Sequence, residues 1–217
     1  MMHVPDIIPA ILAATKQEAL DRWHSAIEVP WIQIDCLDGR FLPNTSFYQA
    51  SEWPTQGPCI ELHLMCEHPL EVMQQWERHP LLKRVIWHQE APVPHEQLLE
   101  WCRKRGLACG IALNPETALS TVFSLTPKLD TLLLLGVHPG WSGQPFVPTT
   151  FEKLRLAREL SPDLEIGVDG GVNEERIPRL AELGADHLYT ASALFSDTTR
   201  TPVHAWQHLT HLAHTAL

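Results

Sequence analysis

The chain has 217 residues, 44% of them hydrophobic and 19% charged, which is the length of one domain with ample apolar material for a core and excludes general disorder. Lys and Arg total 16 against 26 Asp and Glu, a net charge of −10 with histidine neutral, which excludes a nucleic-acid or anionic-membrane surface. No apolar run approaches the ~20 residues of a membrane helix. The start at Met1 lacks a basic region, and Pro9 breaks the apolar stretch from Ile7 to Ala14, so no signal peptide is expected and the cytoplasm is the expected compartment. Cys36, Cys59, Cys66, Cys102 and Cys109 are odd in number and form no C-x-x-C pair, which predicts reduced, buried thiols.

Short apolar runs rich in β-branched residues predict strands at Ile7–Ala13, Trp31–Asp35, Cys59–Met65, Arg84–Trp87, Ala108–Leu113, Thr131–Val137, Glu165–Asp169 and His187–Ala191. Their starts are mostly about 22 to 34 residues apart, which leaves room for a crossover helix after each strand. One helix is expected from Glu96 to Arg105, with basic residues in its last turn and Gly106 as its stop. Phe151, Leu154, Ala157 and Leu160 mark another, capped by Thr149 or Thr150. Asn173 opens a third, with Pro178 expected to remove one hydrogen bond from it. Eight such units predict a single α/β domain over residues 1–217, a (β/α)8 TIM barrel, in preference to an open doubly wound sheet.

In such a barrel, chemistry collects at the C-terminal strand ends. Polar residues close the expected strands there: Gln33 and Asp35 on one side of the second, His63 in the third, His88-Gln89-Glu90 after the fourth, Asn114, His138 and Asp169 after the fifth to seventh. Singly, each has an ordinary reading as a turn former, cap or hydrogen-bonded core histidine. Two carboxylates and a histidine converging on one mouth are costly to bury unless they act together. Gly140-Trp141-Ser142-Gly143, Gly170-Gly171 and Ala191-Ser192 follow the last three strands, where backbone N–H groups can cradle a phosphate. Near the C-terminus, His204, His208, His211 and His214 recur at helical spacing; with no carboxylate to complete a ligand set, they read as a solvated or interface face.

Several segments together resemble the ribulose-phosphate 3-epimerase family over almost the whole chain. They are Pro9-Ala10-Ile11-Leu12, the stretch from Ile34 to Asn44, Leu62-His63-Leu64-Met65, Ala112-Leu113-Asn114-Pro115, the stretch from Val137 to Gln144, and Val168-Asp169-Gly170-Gly171-Val172. The resemblance implies an isomerase that inverts C3 of a phosphorylated ketose through an enediolate, with Asp35 and Asp169 as the acid–base pair. It also implies a divalent metal, Zn, Mn, Fe or Co, on Asp35, His63 and Asp169, with Gln33 standing where the family has a histidine. A substrate-contacting serine of the first strand maps to Ala13, and two methionines near the site map to Leu37 and Leu135. Phosphate contacts map to Gly140, Trp141, Ser142, Gly143, Gly170, Gly171, Ala191 and Ser192, and His63 also faces the substrate. A homo-oligomer is implied as well. Two other readings follow from the departures: a catalytically impaired relative that binds a phosphorylated sugar as a sensor or accessory protein, and a hexulose-phosphate-type decarboxylase or aldolase. The latter needs an Asp-x-Lys-x-x-Asp array, and Asp35-Cys36-Leu37-Asp38 contains no lysine.

Overall fold

The computed structural model describes residues 4–140 and 143–216. Eight parallel strands close into a barrel in chain order: β1 (Asp6–Ile11), β2 (Trp31–Leu37), β3 (Cys59–Met65), β4 (Leu82–His88), β5 (Ala108–Leu113), β6 (Thr131–Leu135), β7 (Glu165–Asp169) and β8 (His187–Thr190). β1 pairs with β8 from Asp6↔His187 to Pro9↔Thr190 and completes the ring. All eight expected strands are present, but β1 stops before Ala13 and β6 before Val137.

The helices are α1 (Lys16–Ser25), α2 (Pro69–Trp76), α3 (His95–Arg103), α4 (Thr149–Leu160), α5 (Ile177–Glu182), α6 (Ser192–Phe195) and α7 (Pro202–Thr215). The expected alternation is incomplete. β2 crosses to β3, and β5 to β6, through short 3-10 turns at Ala50–Glu52, Leu119–Val122 and Thr126–Lys128. Aromatic packing replaces a helix on the first of these crossings. Trp53 meets Trp23 of α1 edge-on at 5.7 Å and Trp76 of α2 at 6.2 Å, and the Trp76 indole N–H donates to Tyr48 O.

Two helix starts also differ from expectation. Pro148 precedes α4, and neither Thr149 nor Thr150 caps it, because both already lie inside the helix. α5 begins at Ile177, so Pro178 falls in the first turn, where its missing N–H costs no hydrogen bond. Asn173 instead holds the turn before it, accepting from Arg176 N–H at 3.1 Å.

Alternate strand residues point into the barrel. Ile8, Ala10, Ile86, Ala112, Leu133, Leu135 and Tyr189 pack inside it, while Ile7, Ile11, Ile34, Leu62 and Val85 belong to the larger layer beneath the helices. The floor is ionic. Arg84, buried over the Trp31 ring at 5.1 Å, donates to Glu61, and to Glu165 at 2.9 Å; Tyr189 O–H donates to Glu61 at 3.1 Å. This network closes the barrel bottom and leaves the opposite end open. Among the described residues, no helix is long and apolar enough to cross a membrane.

Candidate active site

A pocket opens at the C-terminal strand ends. Its polar wall is Asp35 of β2, His63 of β3 and Asp169 at the end of β7. Asp35 and His63 are register partners on neighbouring strands, and both point inward by the two-residue period. His63 Nδ1 lies 3.1 Å from Asp35 Oδ1 and 3.2 Å from Asp169 Oδ2. Gln33, two residues before Asp35 on the same face, donates from Nε2 to Asp35 Oδ1 at 3.0 Å and to Asp169 Oδ2 at 2.9 Å. Amide and imidazole therefore bridge the same two carboxylates.

Burial and these contacts set the charges. Desolvation is the largest influence on Asp35 and raises its pKa; the His63 hydrogen bond offsets only part of this, and Asp169 adds repulsion. Burial alone would depress His63, but its hydrogen bonds to both aspartates and their negative charges outweigh it, holding the pKa at about 10.

Behind His63 lies a second polar layer. His63 Nε2 is 3.0 Å from His88 Nε2, and His88 Nδ1 is 3.2 Å from Glu90 Oε2. Burial lowers the His88 pKa despite the Glu90 bond. Glu90 Oε1 accepts from the Asn114 N–H at 2.9 Å and from the Thr117 hydroxyl. Burial would raise the Glu90 carboxyl, yet these donors pull it down to about 2. The sequence marks His88 and Glu90 as polar strand-end residues, but it gives no sign that they join His63.

The loops expected to contact phosphate converge on this pocket where the structure describes them. Gly140, Gly143, Gly170, Gly171, Ala191 and Ser192 all line the pocket, and Trp141 and Ser142 lie outside the described residues. Gly170 has φ +93°, and a Cβ there would come 2.5 Å from Val137 Cγ2, so only glycine suits this turn. Leu37 and Leu135 form part of the apolar wall.

Ala13 does not line the pocket. It is buried in the outer apolar layer, and its carbonyl accepts the Phe47 N–H at 2.8 Å. The β1 residues that line the pocket are Ala10 and, just beyond the strand, Leu12. Ala13 lies beyond the end of β1 at Ile11, so the strand's alternation does not carry its side chain to the barrel mouth. Asp38 is a structural staple, with Oδ1 accepting from Arg40 and Phe41 N–H and Oδ2 from Glu67 N–H.

The residues fit a divalent cation. Among the described residues, Asp35, His63 and Asp169 are the only trio of His, Cys, Asp or Glu whose ligand atoms converge, within 4.8 Å of one another. Gln33 Oε1 is buried without a hydrogen-bond partner beside them, and a half-turn of the amide would offer it as a fourth, hard ligand. On α7, His208 Nε2 lies 3.2 Å from Glu174 Oε1, a carboxylate supplied by the loop after β7 and not anticipated from the sequence.

Residues 6–195 match the Ribulose-phosphate 3 epimerase family. A ribulose-phosphate 3-epimerase of Chlamydia muridarum is 34% identical over 204 residues, covering 90% of this chain and 88% of its own. That of Mycobacterium leprae is 30% identical over 207 residues, with 88% of each chain covered. Among solved structures, 3-hexulose-6-phosphate synthase from Salmonella typhimurium superposes with a TM-score of 0.74 at 14% identity, covering 98% of this chain and 100% of its own, a likeness of fold.

Proposed function

The chain belongs to the ribulose-phosphate 3-epimerase family, and from that membership and its paired carboxylates we propose that it inverts C3 of a ketose phosphate, with Asp35 and Asp169 as the two acid–base groups. The observation that carries the reading is the shared pair of donors: Gln33 Nε2 and His63 Nδ1 each hold one oxygen of both aspartates at the pocket wall.

The C3 proton lies next to the C2 carbonyl. One carboxylate takes it from one face, and the other returns a proton to the opposite face of the planar enediolate. Burial of Asp35 raises its basicity, which favours its taking a proton from the substrate. The donors from Gln33 and His63 keep the carboxylates turned toward the same point. The glycine turns after β6 and β7 and the Ala191-Ser192 turn hold the phosphate, and the apolar wall of Leu37 and Leu135 limits water around the carbon skeleton. Asp35, His63, Asp169 and the Gln33 oxygen would hold a divalent cation, which would supply Lewis-acid stabilisation of developing negative charge. With an amide oxygen replacing an imidazole, harder ions such as Mn2+ or Mg2+ gain ground.

The five free thiols support a reducing cytoplasmic setting. Leu156 and Leu160, one turn apart on α4 and 40% and 51% exposed, support a homo-oligomer. The reading is tested by assaying ribulose 5-phosphate epimerisation with added Mn2+, Zn2+ or Fe2+, alongside metal analysis of untagged protein. Asp35→Asn and Asp169→Asn are each expected to lower turnover by at least ~100-fold while sparing phosphate binding. Near-normal turnover in both variants removes the two-carboxylate mechanism. The alternative is a phosphorylated-sugar sensor or accessory protein, favoured by the Gln33 amide sitting on the reacting oxygens. It takes the lead if the wild type binds sugar phosphate but turns over no pentulose or hexulose phosphate with any of these metals.

A further inference from the structure

We propose that Glu90, acting through His88, keeps a hydrogen on Nε2 of His63, so that Nδ1, which here donates to Asp35 and Asp169, is the nitrogen that gives up its hydrogen to a cation between them. This rests on the proposed reading of His63 as a metal ligand. Glu90 and His88 are positioning residues, since neither lines the pocket.

The hydrogen-bond path starts from a hydrogen that cannot move. The backbone N–H of Asn114 can only donate, so the Glu90 atom facing it, Oε1, must accept. Thr117 O–H donates to the same oxygen. Ionised Glu90 has only acceptors, so His88 Nδ1, 3.2 Å from Oε2, must carry the hydrogen. His88 has no exposed surface, and burial beside the charged His63 ring disfavours a second cation, so His88 carries a single ring hydrogen and its Nε2 is bare. That nitrogen lies 3.0 Å from His63 Nε2, and a hydrogen bond between them then requires His63 Nε2 to donate.

The ring geometry agrees. The two imidazoles are 17° from coplanar with centroids 5.1 Å apart, an edge-to-edge arrangement along the Nε2···Nε2 line rather than face-to-face stacking. Phe41 packs on the His88 ring at 5.1 Å and restrains its rotation. With hydrogen fixed on His63 Nε2, only the Nδ1 hydrogen, which bonds the carboxylate oxygens at 3.1 and 3.2 Å, can be given up to leave a lone pair for a cation. A carboxylate beyond a ligating histidine commonly orients it directly; here a second histidine relays the effect.

Glu90→Gln tests the relay because it changes polarity without changing shape. Its oxygen must stay on the Asn114 N–H, so its NH2 faces His88 Nδ1 and forces the hydrogen of His88 onto Nε2. His63 Nε2 must then accept, which leaves the single hydrogen of His63 on Nδ1, where it blocks the cation. The experiment records long-range 1H–15N histidine spectra of both proteins, metal-free and with Zn2+, and titrates each with Zn2+ alone. The wild type is expected to show His88 as the Nδ1–H tautomer in both states and His63 as Nε2–H with Zn2+. The variant is expected to show His88 as Nε2–H and to bind Zn2+ about 10- to 100-fold more weakly. An Nε2–H tautomer of His88 in the wild type overturns the proposal even if the variant does not fold. So does the same His88 tautomer in both proteins, or an unchanged Zn2+ affinity in a variant whose wild type binds. If the wild type takes no Zn2+ while Glu90→Gln still reverses His88, the relay is supported and the metal reading of His63 fails.

Discussion

The side-chain amide of Gln33 donates across the barrel to Asp169, Nε2 to Oδ2 at 2.9 Å, and so ties β2 to β7 at the mouth of the pocket. The same nitrogen holds Asp35, so one neutral side chain separates two carboxylates that would otherwise repel.

Replacing that amide has opposite consequences for stability and metal binding. Gln33→Leu is expected to lower metal-free stability by about 1.5–3 kcal/mol, the scale for losing hydrogen bonds to charged groups, since His63 alone then holds both carboxylates. Gln33→His is expected to raise Zn2+ affinity by at least ~10-fold by completing a two-His, two-Asp set. Urea unfolding of the metal-free proteins and Zn2+ titration check the pair; unchanged values in both measurements would falsify a bridging role for Gln33.

The facing of β1 separates two alanines. Ala10→Ser places a hydroxyl in the pocket and is expected to change KM for the sugar phosphate with little effect on folding. Ala13→Ser buries a hydroxyl in the apolar outer layer and is expected to cost about 1–3 kcal/mol while leaving KM unchanged. Steady-state kinetics and thermal unfolding of both variants decide the assignment, and a KM effect confined to Ala13→Ser reverses it.

The Glu90 carboxyl, held down at about 2 from 4.5, makes an acid-labile contribution to stability. Its folded pKa is depressed, so the contribution is complete above about pH 4.5 and is lost as pH falls through 4.5 toward 2. The stability gap between wild type and Glu90→Gln is therefore expected to be constant near neutral pH and to narrow on acidification. A gap that stays constant from about pH 6 to pH 3 contradicts the depressed pKa.

On the barrel floor, Arg84→Met leaves Glu61, fully buried, without its cation, and is expected to cost about 3–5 kcal/mol. Adding Glu61→Leu removes the stranded charge and is expected to recover most of that loss. Urea unfolding of the single and double variants measures the coupling, and simple additivity shows that the ion pair contributes nothing.

Much of this protein was legible in its sequence. The eight strands declare themselves because strands covered on both faces need nearly continuous apolar runs, and their spacing leaves room only for parallel crossovers. Asp35, His63 and Asp169 were legible because polar residues ending such runs must reach the same barrel mouth. Other features depend on contacts between residues distant in the chain. Tryptophan packing, not helical periodicity, decides that β2 returns to β3 without a helix. The outward placement of Ala13 depends on β1 ending at Ile11, a boundary that local propensity fixes poorly. Glu174 reaches His208 only because the loop after β7 passes α7. The run from Asn114 through Glu90 and His88 to His63 joins three strand ends in one hydrogen-bond path, and its direction is set by a backbone N–H that can only donate. Composition and periodicity thus determined the barrel and the residues at its mouth; closure of the ring decided which of them touch, and through which atoms.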